Sequence, residues 1–468
     1  MSSFVDAPSI RALIWIYFLL LIFEGVLRKW VLPGLSDPLL LVRDPFLVCI
    51  YILAVGKGVF PINGYIGGLL IIGIISVFTG MTVGSQNLFV TAYGFDAMFF
   101  HLPLIFIIPR VMTREDTEKI GLWILFLTVP MAILMAIQFR SSPDALINCG
   151  VSGSIGTQIR GAMGKIRPPG FFTFITGAAQ FLAFATVFFI FGLWKKGTYR
   201  WILLVTSGIS ITISAVVSTS RLALGAIGTV FVMVGVVVLY DRNSFSKVLG
   251  MLVPIGLILV VATNLDVFNE GRQVFEVRLQ EAGDKSGSVV ETATNWTARA
   301  FGDLGGGITA IRQAPLLGAG LGVGTNVGAR VLSGQFGYLL AEGEWARVVL
   351  ELGPLLAIPY LMIRMLICVN MFKISTQSAR EGNALPMLLF GSCALLIVVG
   401  QFSQTSTLGF AVLQAGLCLA STNIPLPIQS VNSNGTENPA FIKQDAPRPR
   451  GCAPYAIKLR ESGTTDSN

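Results

Sequence analysis

Glu342, Glu344, Arg347 and Glu351 crowd the stretch AEGEWARVVLELGPL, where a long polar segment gives way to an apolar run. Buried charge is expensive, so four charged residues there need a reason. On a helix, Glu344, Arg347 and Glu351 fall at i, i+3 and i+7 on one face, and Arg347 can pair with either acid. Arg347 and Glu351 then read as a structural ion pair, while Glu342 and Glu344 read as the half open to a cleft. A carboxylate beside an aqueous cleft, with basic loops opposite, can act as general base on a hydroxyl. The same residues would also serve as an interfacial charge cap, with Trp345 as its aromatic-belt anchor.

Arginine provides the complementary chemistry. Arg167 in KIRPPGFF and Arg221 in STSRLALG sit directly at helix mouths. A permanently charged, bidentate donor at that depth suits a phosphate or pyrophosphate. Arg299 and Arg312 are weaker candidates for the same role, since long loops cross a membrane regardless of their charge. In FEGVLRKW, Glu24 and Arg28 form a helical i, i+4 pair, and Arg43 and Asp44 are adjacent. Their near-balance favours a structural cluster of ion pairs. Asp96 and His101 share one helix in YGFDAMFFHLPL; they fit a proton relay or a satisfied structural histidine. PLLGAGLGVGTNVGAR looks like a phosphate-cradling loop but lacks both the strand–turn–helix setting and a GKS or GKT. It reads as close approach of backbone to a helix bundle, or as amides lining a ligand cleft.

The elements that must carry these residues are membrane helices. Of 468 residues, 53% are hydrophobic and 12% charged, against about 25% charged in a soluble domain. This composition specifies an all-α polytopic membrane protein. Apolar runs fall at about 12–28, 37–56, 64–83, 88–109, 119–139, 171–193, 200–218, 222–240, 247–264, 345–370, 384–402 and 405–422. With about 20 residues needed per crossing, they predict about 12 transmembrane helices, with a large outer loop between helices 9 and 10. Lys57, Arg110, Arg114, Lys119, Lys195, Lys196, Arg200, Arg242, Lys247, Lys373 and Arg380 occupy every second loop. Those loops and both termini are therefore expected in the cytoplasm, and the connections at about 140–170 and 265–344 outside. Arg11 followed by an apolar run, with no small-residue cleavage site after it, reads as an uncleaved first helix. Residues 1–422 form one transmembrane domain; 423–468, rich in Pro, Ser, Asn and Gly, form a disordered cytoplasmic tail.

Several function classes drop out. The net charge of +8 is scattered over inter-helix loops, with no basic run interleaved with aromatics, so no nucleic-acid partner is expected. None of the six cysteines forms a CxxC pair, and His101 is the single histidine, so no His-rich metal site and no metal are expected. No internal repeat is visible, which argues against a transporter built from repeated halves.

These features resemble the O-antigen ligase/polymerase (Wzy-like) family of membrane glycan-assembly proteins. The likeness rests on the corner STSRLALGAIG, on PLLGAGLG following the 299–314 segment, and on ELG at Glu351 to Gly353; it covers about residues 165–365. It implies transfer of a glycan from an undecaprenyl-pyrophosphate carrier to an acceptor sugar hydroxyl on the periplasmic face of the bacterial inner membrane. That chemistry needs no cofactor and serves exopolysaccharide or O-antigen biosynthesis, with other polysaccharide-assembly proteins as possible partners. Arg221 matches the arginine of the family's SR corner, and Arg167 an arginine of its earlier outer loop. In many members a His-Asn pair begins the segment leading to ELG. Here Glu342-Gly343 stands in that place, which assigns the base role to Glu342 or Glu344. The rivals are a transporter or flippase of lipid-linked sugars, which would need charge along a central pathway, and a polyprenyl-phosphate-sugar glycosyltransferase, which would need acids in the first outer loop.

Overall fold

The apolar runs become helices, the run at 88–109 as two separated by a break. The computed structural model describes residues 4–283, 302–334 and 337–422, which are helical without a β-strand among them. Helix α1 (Pro8–Val26) runs into a π-turn at Leu27–Val31, and α2 (Asp44–Gly56) and α3 (Gly64–Thr82) follow. Helix α4 (Leu88–Phe95) continues as a π-turn, Asp96–Phe100, and then breaks before α5 (Leu104–Val111). Next come α6 (Arg114–Arg140), α7 (Ile175–Trp194), α8 (Trp201–Val217), α9 (Arg221–Tyr240) and α10 (Phe245–Thr263). The long connection after α10 carries α11 (Asp266–Gly283), α12 (302–313) and α13 (Asn326–Ser333). Helices α14 (Glu344–Arg380), α15 (Leu385–Val399) and α16 (Thr405–Ala420) complete the order.

Eight of the described stretches are long and apolar enough to cross a membrane, or nine if the pair 88–111, bent by 43°, is one crossing. Helices α8, α15 and α16 are apolar but shorter, at 17, 15 and 16 residues. The outward faces fit an apolar solvent. Phe78, Ile71 and Leu257 are 68%, 62% and 63% exposed, as side chains facing hydrocarbon rather than water would be. Helix α7 is the opposite case. Its FLAFATVFFIF run is buried on every side among α6, α8, α9 and α15, which makes it the centre of the bundle.

Polar caps mark where the helices start. Asn63 accepts from Ile66 N at 3.0 Å and Asn87 from Val90 N at 3.1 Å, while Thr113 and Asp116 form a capping box at the start of α6. In hydrocarbon no water can satisfy these amides, so the chain supplies its own acceptors.

Two departures from the sequence reading bear on the site. The 265–344 connection, expected as a loop, is largely helical among its described residues. In DVFNEGRQVFEVRLQEAG the apolar residues are too sparse for a membrane span but keep a helical period, and Phe268 and Val274 are buried. Helix α14 is broken inside ELGP. Gly353 has φ +72°, and a Cβ there would collide with the carbonyl oxygen of Leu316. Glycine permits both the left-handed conformation and the close approach of the 316–322 backbone, and Pro354 after it cannot donate to the preceding turn. Arg299 and the 423–468 tail lie outside the described residues.

Candidate functional site

The corner between α8 and α9 is built from STSR. Ser218 ends α8, and its Oγ accepts from Ser220 N at 3.2 Å. Ser220 caps α9, and Arg221 is that helix's first residue. Thr219 between them is fully buried with φ +44°. A β-branched residue rarely adopts that conformation, which costs about 1–3 kcal/mol and persists where surrounding structure imposes it.

Arginines from two other segments meet this corner. Arg167 donates from Nη2 to Ser220 Oγ at 3.2 Å, and Arg278 of α11 donates from Nη1 to the Thr219 carbonyl. Arg167 is held from behind: its own N–H bonds to Ile159 O at 2.9 Å. Three residues on, Gly170 receives Lys29 Nζ on its carbonyl at 2.7 Å and gives its N–H to Gln138 Oε1 at 2.9 Å. Burial, together with the Arg278 and Arg221 charges, pushes the Arg167 guanidinium down to about 10. Among the described residues neither Arg167 nor Arg221 has a carboxylate within ion-pair range, and both Arg167 Nε and Thr219 Oγ1 are buried without a hydrogen-bond partner. Like charges gathered at a helix N-terminus, with a donor left over, are an arrangement that an incoming anion would relieve.

The mouth of α14 is arranged the other way. Arg347 gives Nη2 and Nε to Glu344 Oε2 at 2.8 and 3.1 Å, and Nη1 to Glu351 Oε1 at 3.0 Å. Arg364, across the break, gives Nη1 to Glu344 Oε1 at 2.7 Å and its other donors to the Ile397 and Gly400 carbonyls, with its guanidinium 3.8 Å over the Phe402 ring. All four residues are 1% exposed. Glu344 therefore is not the cleft-facing carboxylate expected from the sequence. Its partner Arg364 lies twenty positions on, beyond any helical spacing rule.

The glycine-rich loop makes the close backbone approach to the bundle that was expected of it and has a further role. Gly322 N and Gly324 N donate to Glu351 Oε2 and Oε1 at 3.0 and 2.8 Å, so the loop does cradle an anion, but an internal one.

Glu342 stays exposed just before this cluster, its carbonyl bonded by Gln401 Nε2. Beside it lies a carboxyl the sequence reading did not single out. Asp303 on α12 accepts from Trp345 N at 3.3 Å, while its Oδ1 is buried without a partner. Burial pushes its carboxyl above the ordinary value. Only the fold brings α12 to this mouth. Arg312 is exposed on the same helix. Trp345 Nε1 donates to Val398 O at 2.8 Å, tying the indole to the end of α15.

Glu24 and Arg28 pair at 3.1 Å, and Arg43 joins them, with its Nε 3.6 Å from Glu24 Oε2. Arg43 thus turns to Glu24 and not to the adjacent Asp44, which bonds His101 at 3.2 Å. Comparison with family models, with curated proteins and with solved structures gives no match for this chain, so the site rests on its own geometry.

Proposed function

We propose that the protein is a membrane glycosyltransferase of the O-antigen ligase/polymerase type, moving a glycan from an undecaprenyl-pyrophosphate carrier to an acceptor sugar hydroxyl at the periplasmic face. The observation that supports it most is the meeting of Arg167, Arg221 and Arg278 at the strained Thr219–Ser220 corner. A pyrophosphate leaving group gains negative charge as the glycosidic bond breaks, and preorganised guanidiniums in a poorly hydrated site stabilise that charge. Glu342 is the base in this reading, with Asp303 at the same mouth; a carboxyl whose value burial raises is better matched to proton abstraction near neutral pH. Glu344, fully engaged with two arginines, holds the mouth together.

In this reading the shorter helices α8, α15 and α16 complete about twelve crossings of a bacterial inner membrane. Both termini are then cytoplasmic, and α11–α13 cover the outer face. The product is an exopolysaccharide or O-antigen chain, and other assembly proteins receive it. A transporter or flippase of the same lipid-linked substrate is the alternative, favoured by the broken helix at 88–111.

Reconstitution into vesicles with a lipid-linked oligosaccharide and no nucleotide tests the reading. Longer or transferred glycans are expected. Movement of the substrate across the bilayer without elongation or transfer would overturn the enzyme reading in favour of the transporter.

A further inference from the structure

His101 lies at the break between the Asp96–Phe100 π-turn and α5, 1% exposed. Its Nε2 is 3.2 Å from Asp44 Oδ1 of α2 and 3.2 Å from Asp96 Oδ1. One ligand atom from each of the three residues lies within 4.8 Å of the others. The two 3.2 Å spacings from Nε2 suit a common central atom. With metal–ligand bonds of about 2.0–2.1 Å, neighbouring ligand atoms stand about 2.9 Å apart in an octahedron and about 3.3 Å apart in a tetrahedron.

Hydrogen bonding alone does not complete this cluster. An imidazole N–H at Nε2 points in one direction, and here it is aligned with Asp44. Asp96 Oδ1, at the same distance, is out of line and remains buried without a hydrogen-bond partner. Charge is also unbalanced. Two carboxylates face one imidazole, so even an imidazolium leaves one negative charge over. Arg43 carries the permanent positive charge of this neighbourhood, but its Nη donors go to Tyr17 and the Thr405 carbonyl, its ion pair is with Glu24, and it makes none with either aspartate. The cluster is closed on the imidazole side, while the aspartate side chains keep 20% and 15% exposure.

The far side of the ring fits as well. His101 Nδ1 is 2.9 Å from Tyr17 Oη, which also receives Arg43 Nη1 at 3.2 Å. A histidine that ligates through Nε2 carries its proton on Nδ1 and gives it to an oxygen acceptor. Tyr17 is that acceptor.

We propose that Asp44, Asp96 and His101 bind one divalent first-row transition-metal ion, tying α2 to the break between α4 and α5. One nitrogen and two carboxylate ligands suit zinc, manganese or ferrous iron. The site shares no residue with the arginine corner. The scarcity of histidine, which argued against a metal from sequence, rules out only sites made mainly of histidine.

The single histidine makes a direct test possible. The full chain, purified through a histidine-free tag and stripped with chelator, is equilibrated with Zn2+ and passed over a sizing column. About one zinc per chain is expected above the level bound by Asp96→Asn and His101→Gln. In parallel, 15N-histidine labelling gives ring signals from His101 alone, and its Nε2 resonance should shift on adding Zn2+. Equal zinc in wild type and both folded variants would overturn the proposal. So would a ring resonance indifferent to zinc, which leaves His101 as a hydrogen-bonded partner of two carboxylates. The resonance experiment uses the wild-type chain, so it decides even if the variants do not fold.

Discussion

The mouth of α14 and the α8–α9 corner both bring arginines to a helix start, but they answer the charge differently. At the α14 mouth two arginines and two glutamates are interleaved, every partner within 3.1 Å and none exposed. At the corner three arginines come from three separate segments; Arg167 and Arg278 bond the Ser220 hydroxyl and the Thr219 carbonyl, and among the described residues no carboxylate pairs with Arg167 or Arg221. A neutral cluster gains nothing from an incoming anion. A cluster of like charge is relieved by one. The difference separates residues that hold the fold from residues poised for a ligand, although all carry the same side-chain chemistry.

Breaking the neutral cluster should have the largest effect on stability. Glu344→Gln leaves Arg364 buried without its carboxylate partner and takes one of two from Arg347, and losing one member of a buried pair costs about 3–5 kcal/mol. Unfolding in detergent, followed by intrinsic tryptophan fluorescence, should show that loss; a wild-type midpoint would mean that the cluster is not sealed. Arg221→Ala should do the reverse, leaving unfolding unchanged while transfer falls about 10²–10³-fold, the effect typical of removing one preorganised charge-stabilising donor.

The base sharpens the comparison through pH. A carboxylate abstracts a proton only when ionised, and the Asp303 carboxyl is raised by burial. If Asp303 is the base, the transfer rate falls as pH drops through that raised value, and Asp303→Asn lowers the rate and removes the limb. If Glu342 is the base, Glu342→Gln lowers the rate by about 10²-fold or more and Asp303→Asn leaves the limb in place. Gly353→Ala should cost roughly 1–3 kcal/mol, because the new methyl meets the Leu316 carbonyl at a positive φ. The smallest expected effect is a gain. Arg167→Gln removes like-charge repulsion and should stabilise the ligand-free protein by roughly 0.5 kcal/mol, while abolishing the thermal stabilisation that inorganic pyrophosphate gives the wild type. A variant less stable than wild type in the absence of anion would contradict the repulsion inferred at the corner.

What could be read from the sequence was what short range determines. Apolar runs specify helices, and i, i+3 and i+4 spacing specifies that Arg347 meets both glutamates and that Glu24 meets Arg28. Residues whose partners are distant in the chain could not be read that way. Arg364 reaches Glu344 only because α14 breaks and bends, and Arg278 reaches Thr219 only because α11 folds back as an amphipathic helix. Asp44 and Arg43 are neighbours in sequence yet belong to different clusters, since successive side chains on a helix point about 100° apart. Glu342 kept the exposure expected of it, whereas Glu344, two residues on, crosses from the connecting segment into the helix and is sealed.

The interleaved charges of α14 also bear on how the chain enters the membrane. Glu344, Arg347, Glu351 and Arg364 lie on one continuous segment, two acids and two bases. A lone charge in a nascent helix resists partitioning into lipid by about 2.5–3.5 kcal/mol at the bilayer centre. This segment brings its counter-ions with it, and its short-range pairs can close before any neighbouring helix arrives. The Gly322 and Gly324 amides, translated earlier, must wait for Glu351 to emerge before their acceptor exists. Assembly of this mouth is therefore ordered from the carboxyl-terminal side: the loop settles only once the helix that follows it is in place.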